Sequence, residues 1–355
     1  MIVLTDEQAQ FAESLQALLE KKLPVQRTID AAEDRAADDY ADVWESLAAS
    51  GAASVGSPVE GSLLDLAIGV EAGGAALLPG TLLSHACAIR MTDDERVQSG
   101  AVRAAAAADP ALGTLALSGG AVSGTLSSVL EAEGADLLAA WTDGGTVVLL
   151  ETAGLGVAAH PMFDPTRSWA DVTVEGARPV AEITSRRAAD VLLDAAVLTG
   201  FDALGSAQAT LDAAVVYAKE REQFHRPIGS FQAVKHLLVD AYATVDAMRS
   251  ALLYATYAVD DDTEDRAFAV HAAKSLAGGQ RTVATTAVQV FGGIGFTREI
   301  TAHLHVKRSL LDERMFGTPA EHRRAIAQDL VAITEDWSVV PGEERRKERR
   351  REVAG

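Results

Sequence analysis

Residues 217–238 read YAKEREQFHRPIGSFQAVKHLL. A helical pattern ends near Phe224, Arg226-Pro227-Ile228-Gly229 supply a turn, and a second helix starts at about Ser230. Arg221 and Gln223 then fall on the last turn of the first helix. There they can meet a phosphate or an amide-rich ring from outside, or act as ordinary surface polar groups. From Phe231 onward Val234, Leu238, Tyr242, Val245, Met248 and Leu252 recur at threes and fours, the spacing of one buried helical face. The charged run DDDTEDR (260–266) reads as a loop, and the helices on either side are long enough for an antiparallel four-helix bundle.

Working outward, residues 100–185 change character. Gly, Thr, Val and Ser rise, WTDGGTVVLL has two strand-like runs around Asp-Gly-Gly, and SWADVTVEGA reads as another strand. Residues 1–88 read helical. Thr5 can cap a helix with Phe11, Leu15, Leu18 and Leu19 on one face, a short helix around Trp44 breaks at Gly51 and Gly56, and another ends near Pro79. The expected architecture is mainly α with a small β domain. It divides into an N-terminal helical domain (1–95), a middle β domain (96–185), a C-terminal four-helix bundle (186–338) and a charged tail (339–355).

Composition narrows the function. The chain has 355 residues, 48% hydrophobic and 23% charged, with a formal charge of −20. That balance disfavours nucleic acid or an anionic membrane as a partner. Cys87 is the only cysteine, so no disulfide framework arises. His303 and His305 sit two apart on a helical pattern and diverge, so no metal site is expected. No signal pattern opens the chain and no long apolar run occurs, so the expected location is the cytoplasm. Gly292-Gly293-Ile294-Gly295 lies inside a helical region and follows no strand, which excludes a dinucleotide fingerprint.

AVQVFGGIGFTREITAHLHVKR (287–308) is the second informative stretch. Its paired glycines interrupt a long helical pattern, either as a tight loop or to let a ligand or another backbone approach. With the first stretch it carries a resemblance to the acyl-CoA dehydrogenase family. Arg221-x-Gln223-Phe224, Pro227-Ile228, Phe231-Gln232 and Lys235 resemble one family signature. Gln289-x-Phe291-Gly292-Gly293-x-Gly295-Phe296 resembles the other, and the three-part layout agrees over about residues 1–337.

The resemblance implies FAD bound across a subunit interface and oxidation of an acyl-CoA to its 2,3-enoyl thioester. One subunit holds the flavin ring through its β domain; the neighbour grips the pyrophosphate and adenosine end. It assigns that grip here to Arg221, Phe224, Gln232, Gln289, Gly292 and Gly293. The family's Thr-Glu-Pro-x-x-Gly-Ser-Asp-like stretch is read as gone from AAADPALGTLALSGG, and Ser127 and Ser128 are the polar contacts left of the Trp-Ile-Thr/Ser-Asn-like stretch. The glutamate base of the family's Tyr-Glu-Gly-Thr turn falls on Phe316 in RMFGTPAEH (314–322), and its alternative position falls at about Ala195, followed by Ala196.

Residues serving a flavin in the neighbour are therefore kept, and those serving one in this chain are not. The expectation is an FAD-supporting subunit without a catalytic residue, paired with a complete acyl-CoA dehydrogenase subunit and handing electrons to an electron-transfer flavoprotein-like acceptor. It resembles the heterotetramers that act on steroid side-chain CoA thioesters in lipid degradation. Two alternatives stand beside it: a self-sufficient enzyme with a relocated base, Glu321 or Glu313, and a flavin-free scaffold. Read locally, Thr318-Pro319-x-Glu321 is a helix-capping box, and Glu313 is a charge at a helix end.

Overall fold

The computed structural model describes residues 4–33, 40–54, 61–80 and 82–336. Gly56 and the charged tail lie outside them.

Among the described residues the chain opens with helices α1 (Asp6–Lys22), α2 (Val25–Glu33), α3 (Ala41–Ala49), α4 (Leu63–Ala75), α5 (Leu82–Met91) and α6 (Glu95–Gln98). Thr5 caps α1 through a reciprocal pair with Gln8, and Ser62 caps α4 through one with Asp65. On α1, Leu15 and Leu19 are buried, and Phe11 and Leu18 pack at the margin of the same core. Helix α5 is buried almost throughout. Its His85 accepts from the backbone N–H of Ala104 through Nδ1 (3.1 Å) and donates from Nε2 to the Ala53 carbonyl (3.0 Å), which fixes a neutral ring. Burial pushes that ring down to about 4.

Strands β1 to β8 form two sheets. β1 (Ala104–Ala107), β4 (Leu137–Trp141), β5 (Val147–Glu151) and β8 (Ala181–Ile183) make one, in the order β1-β4-β5-β8. β2 (Ala116–Ser118), β3 (Ala121–Leu130), β6 (Gly156–His160) and β7 (Trp169–Ala177) make the other, in the order β2-β3-β7-β6. Pairing is antiparallel except between β1 and β4. WTDGGTVVLL does form the β4–β5 hairpin. Alternate residues of β4 and β5 separate cleanly: Leu138, Ala140, Val148 and Leu150 meet the second sheet, while Leu137, Ala139, Trp141, Val147 and Leu149 face the helices. Buried on both faces, these strands read as continuous apolar runs.

The C-terminal helices are α7 (Ala188–Glu220), α8 (Gln232–Asp260), α9 (Arg266–Ala277), α10 (Gln280–Phe291), α11 (Ala302–Asp312) and α12 (Pro319–Asp336). Helix α7 is central, with Asp194 to Ala207 buried without interruption. It crosses α4 so closely that a Cβ on Gly205 would stand 1.9 Å from the Glu71 carbonyl oxygen, and one on Gly74 would stand 2.1 Å from that of Asp202. The mainly helical class with a small β portion is the one expected.

A buried charge network joins the strands to the bundle. Asp164, Arg167 and Thr166, on the loop before β7, meet Asp202 of α7 and Arg308 and Asp312 of α11. Lys274 donates to the Asp312 carbonyl (2.6 Å) and Gln280 to its carboxylate (3.1 Å). The carboxylates Asp164, Asp202 and Asp312 are matched by the cations Arg167, Arg308 and Lys274, the condition for burying charge. Burial alone would raise Asp164; Arg308, Thr166 and Arg167 outweigh it and hold the carboxyl below the usual range.

Candidate functional site

The first signature folds as a hairpin at the end of α7. Arg221 is the C-cap residue, and Gln223 lies in β9 (Glu222–Gln223), paired with β10 (Arg226–Pro227). Both therefore stand beyond the last helical turn rather than on it. Phe224 and His225 make the turn with φ of 54° and 63°. Such a two-residue loop needs left-handed backbone at both positions, which a non-glycine residue adopts at a cost of about 1 kcal/mol. Phe224 is 84% exposed and meets Phe231 edge-on at 6.1 Å, while the Arg226 guanidinium covers the Phe231 ring at 4.0 Å.

The second signature ends α10. Gly292 has φ 66° and ψ −139°, a backbone state open only to glycine. A Cβ at Gly292 or Gly293 would meet nothing within 4 Å. Their smallness thus serves no contact inside this chain, which is what close approach by an external group requires.

The structure brings the two signatures together. The Tyr217 and Phe291 rings are 5.1 Å apart, and Ile228, Val234 and Ile294 pack on one cluster with Ala218, Val288 and Phe291. Arg221, Phe224, Gln232, Gln289, Gly292 and Gly293 are all exposed around it. The Arg221 guanidinium has no bonded partner among the described residues.

A cavity of about 510 Å³ lies elsewhere, between the strands and the end of α11. Ser127, Ser128, Phe316 and Glu321 line it, with Trp169 and Met315; none of the six signature residues does. Ser128 has φ 53° at an irregularity where β3 slips its register against β7, so the two serines sit in a bulge facing the cavity.

The stretch AAADPALGTLALSGG (106–120) folds as a backbone turn. Asp109 caps a short helix that starts at Pro110, its carboxylate accepting from the Ala111 N–H at 2.9 Å. Gly113 has φ 134° and passes so near β3 that a Cβ would lie 2.6 Å from the Thr125 carbonyl oxygen. The Pro-x-x-Gly spacing is thus held by packing, while the one carboxylate there is spent on its own turn.

The candidate bases are engaged elsewhere. Glu321 accepts from the Thr318 N–H (2.7 Å) and hydroxyl (2.8 Å), which holds its exposed carboxyl below the usual range. Glu313 pairs with Arg281 at 3.3 Å and does not line the cavity. Ala195 and Ala196 are buried in α7. Sequence counting passed over Asp194, one residue earlier. Burial raises its carboxyl, but it pairs with Arg90 at 2.8 Å and is absent from the cavity wall.

Phe316 and Gly317 turn the chain between α11 and α12 with φ of 52° and 98°. His322 lies against this turn, its Nε2 3.0 Å from the Phe316 carbonyl oxygen. A Cβ on Gly317 would stand 2.7 Å from that nitrogen.

Residues 186–331 match the model of the acyl-CoA dehydrogenase C-terminal domain. The chain is 32% identical over 308 residues to the acyl-CoA dehydrogenase IpdE2 of Mycobacterium tuberculosis, covering 84% of this chain and 89% of that one. It is 32% identical over 295 residues to the acyl-CoA dehydrogenase FadE34 of the same organism, covering 78% of this chain but 40% of that longer protein. Among solved structures, the Tcur3481-Tcur3483 steroid acyl-CoA dehydrogenase variant superposes with a TM-score of 0.79 at 25% identity, over 93% of this chain and 99% of that one. The ChsE4-ChsE5 complex from Mycobacterium tuberculosis gives 0.79 at 23% identity over the same shares. The chain belongs to the acyl-CoA dehydrogenase family. Among its described residues no helix is long and apolar enough to cross a membrane.

Proposed function

We propose that this chain is the FAD-supporting, non-catalytic subunit of a heteromeric acyl-CoA dehydrogenase. One observation carries the reading. The six residues that would grip a neighbour's flavin are exposed and brought to one surface, while the cavity that would hold this chain's own chemistry presents Phe316 where the family keeps a glutamate. In such a pair a bound FAD would supply the hydride-accepting chemistry, and the partner would supply the carboxylate that removes the substrate α-proton.

The work left to this chain is positional. Arg221 would offer a planar cation to the pyrophosphate, Gly292 and Gly293 would leave room for it to approach, and Gln232 and Gln289 would add side-chain amides at the pyrophosphate and adenosine end. Phe224 offers an exposed ring face beside them. The substrate class we propose is a bulky CoA thioester of the steroid side-chain type, and the acceptor an electron-transfer flavoprotein-like protein. Support comes from the likeness to the steroid enzyme pair.

The test is to purify the chain alone and with a catalytic partner. Alone it should hold little flavin and show no dehydrogenation; together the pair should hold roughly one FAD per two chains. Stoichiometric FAD with turnover in the isolated chain would overturn the reading.

A further inference from the structure

We infer that His271 and His322 form an uncharged latch that fixes the Phe316–Gly317 turn and so holds Phe316 in the cavity wall. The hydrogen-bonded chain stands on geometry, and its neutrality on the burial of the His322 ring. Its meaning, that this chain's own cavity is kept shaped around a phenyl ring instead of an acid, rests on the reading above.

Two successive left-handed residues, the first of them a phenylalanine, need something to hold them. The neighbouring cap does not: Thr318 and Glu321 satisfy each other and the start of α12, and leave the Phe316 carbonyl untouched. That carbonyl is taken by His322. A carbonyl can only accept, so Nε2 of His322 carries the proton, at 3.0 Å. In an uncharged ring Nδ1 is then an acceptor. It faces Nδ1 of His271 at 2.8 Å, so His271 donates from that nitrogen. The rings lie 5.1 Å apart, tilted by 49°. With both rings neutral, one arrangement of protons satisfies the chain from His271 through His322 to Phe316. A proton added at His322 Nδ1 sets two N–H groups against each other across 2.8 Å unless His271 moves its own proton to Nε2, and either way a charge is brought onto a buried ring.

The surroundings favour that uncharged state. Burial pushes His322 down to about 4 and lowers His271 as well. From α9, Lys274 stands near His322 and opposes a second positive charge; it is itself bonded to the Asp312 carbonyl of α11. On α12, Glu321 pulls His322 the other way and Asp329 does so for His271, while Arg323 reaches Ser275 and Arg324 lies beside Glu321. The closeness of the His322 ring also explains why position 317 has no side chain in a turn that has lost its acid: a Cβ there would collide with Nε2 at 2.7 Å.

The experiment is amide hydrogen exchange on the purified complex, followed in peptides spanning 311–322, with the 280–291 helix as internal reference. Wild type is compared with His322→Gln, which keeps an N–H donor for the Phe316 carbonyl but cannot gain a proton, and with His322→Leu, which keeps none. After correction for intrinsic rates, exchange around Gly317 in wild type should rise at least ~10-fold relative to the reference as pH falls from 7 to about 4.5. His322→Gln should stay flat, and His322→Leu should be raised already at pH 7. The same pH response in His322→Gln would overturn the latch, as would an unchanged His322→Leu. Should His322→Leu fail to fold, the comparison of wild type with His322→Gln decides alone. The FAD-per-chain ratio of the same preparations reports separately on the subunit reading.

Discussion

Arg308 Nε stands 2.7 Å from Asp164 Oδ2, and neither side chain has any exposure to solvent. The pair ties the loop before the last long strand to the bundle, and Arg308 also reaches Thr166 and Asp202. Arg308→Ala leaves buried carboxylates without their cation and should cost about 3–5 kcal/mol in chemical denaturation. Replacing Arg308 and Asp164 together by Met and Leu should cost much less, because no charge is stranded. Equal losses in the two variants would show that packing, not charge, holds the loop.

Glycine at 205 is a close-approach residue. Alanine is ordinarily the better helix former by about 1 kcal/mol. Here its methyl would fall 1.9 Å from the Glu71 carbonyl, so α4 would have to move off α7. Gly205→Ala should therefore lose more than ~2 kcal/mol, seen as a lowered Tm. A raised Tm would mean that the crossing is looser than this distance implies.

Arg221→Ala should separate flavin from fold. The side chain is exposed and bonded to nothing among the described residues, so Tm should stay within ~1 °C of wild type. FAD retained by the complex, read from flavin absorbance against protein, should fall at least ~10-fold. Full retention would remove Arg221 from the grip and favour the scaffold alternative.

Glu321→Gln tests the relocated base. As a cap, Glu321 should lower Tm slightly when changed and leave turnover of the complex within ~2-fold. As a general base it should cut turnover by ~100-fold or more. The two hydrogen bonds from Thr318 predict the first outcome.

Acid should weaken the fold through buried histidines. His85 is pushed by burial down to about 4 and His305 to about 3, against an ordinary value of 6.5. Their folded-state values are depressed, so unfolding takes up protons once pH drops below about 6.5. The stability they contribute is whole above that pH and is lost progressively as pH falls toward 3 to 4. Thermal melts should show Tm roughly level from pH 7 to 8 and falling by more than ~5 °C by pH 5. In His85→Gln the fall should be shallower.

What could be read from sequence was local. The capping pairs Thr5 with Gln8 and Thr318 with Glu321 lie three residues apart and satisfy each other, so spacing alone exposes them. The β4–β5 hairpin was legible because its turn residues sit between its own two strands. The two signatures were legible as motifs, yet only the fold shows Tyr217 packed against Phe291. Partners far apart in the chain left no trace: Arg308 and Asp164 are 144 residues apart, His271 and His322 are 51. Asp109 hid for another reason. A motif is legible as side chains, while what Pro110 and Gly113 make is a backbone turn.

The long α4–α7 crossing also sets an order of events during synthesis. The backbone N–H of Leu63, at the start of α4, is bonded by the Asp260 carboxylate at the end of α8, 197 residues later. A ribosome adding ~5–20 residues per second needs roughly 10–40 s to deliver that partner. The face of α4 that meets α7 therefore stays open until the bundle helices emerge, while α1, α3 and α4 can pack on one another beforehand.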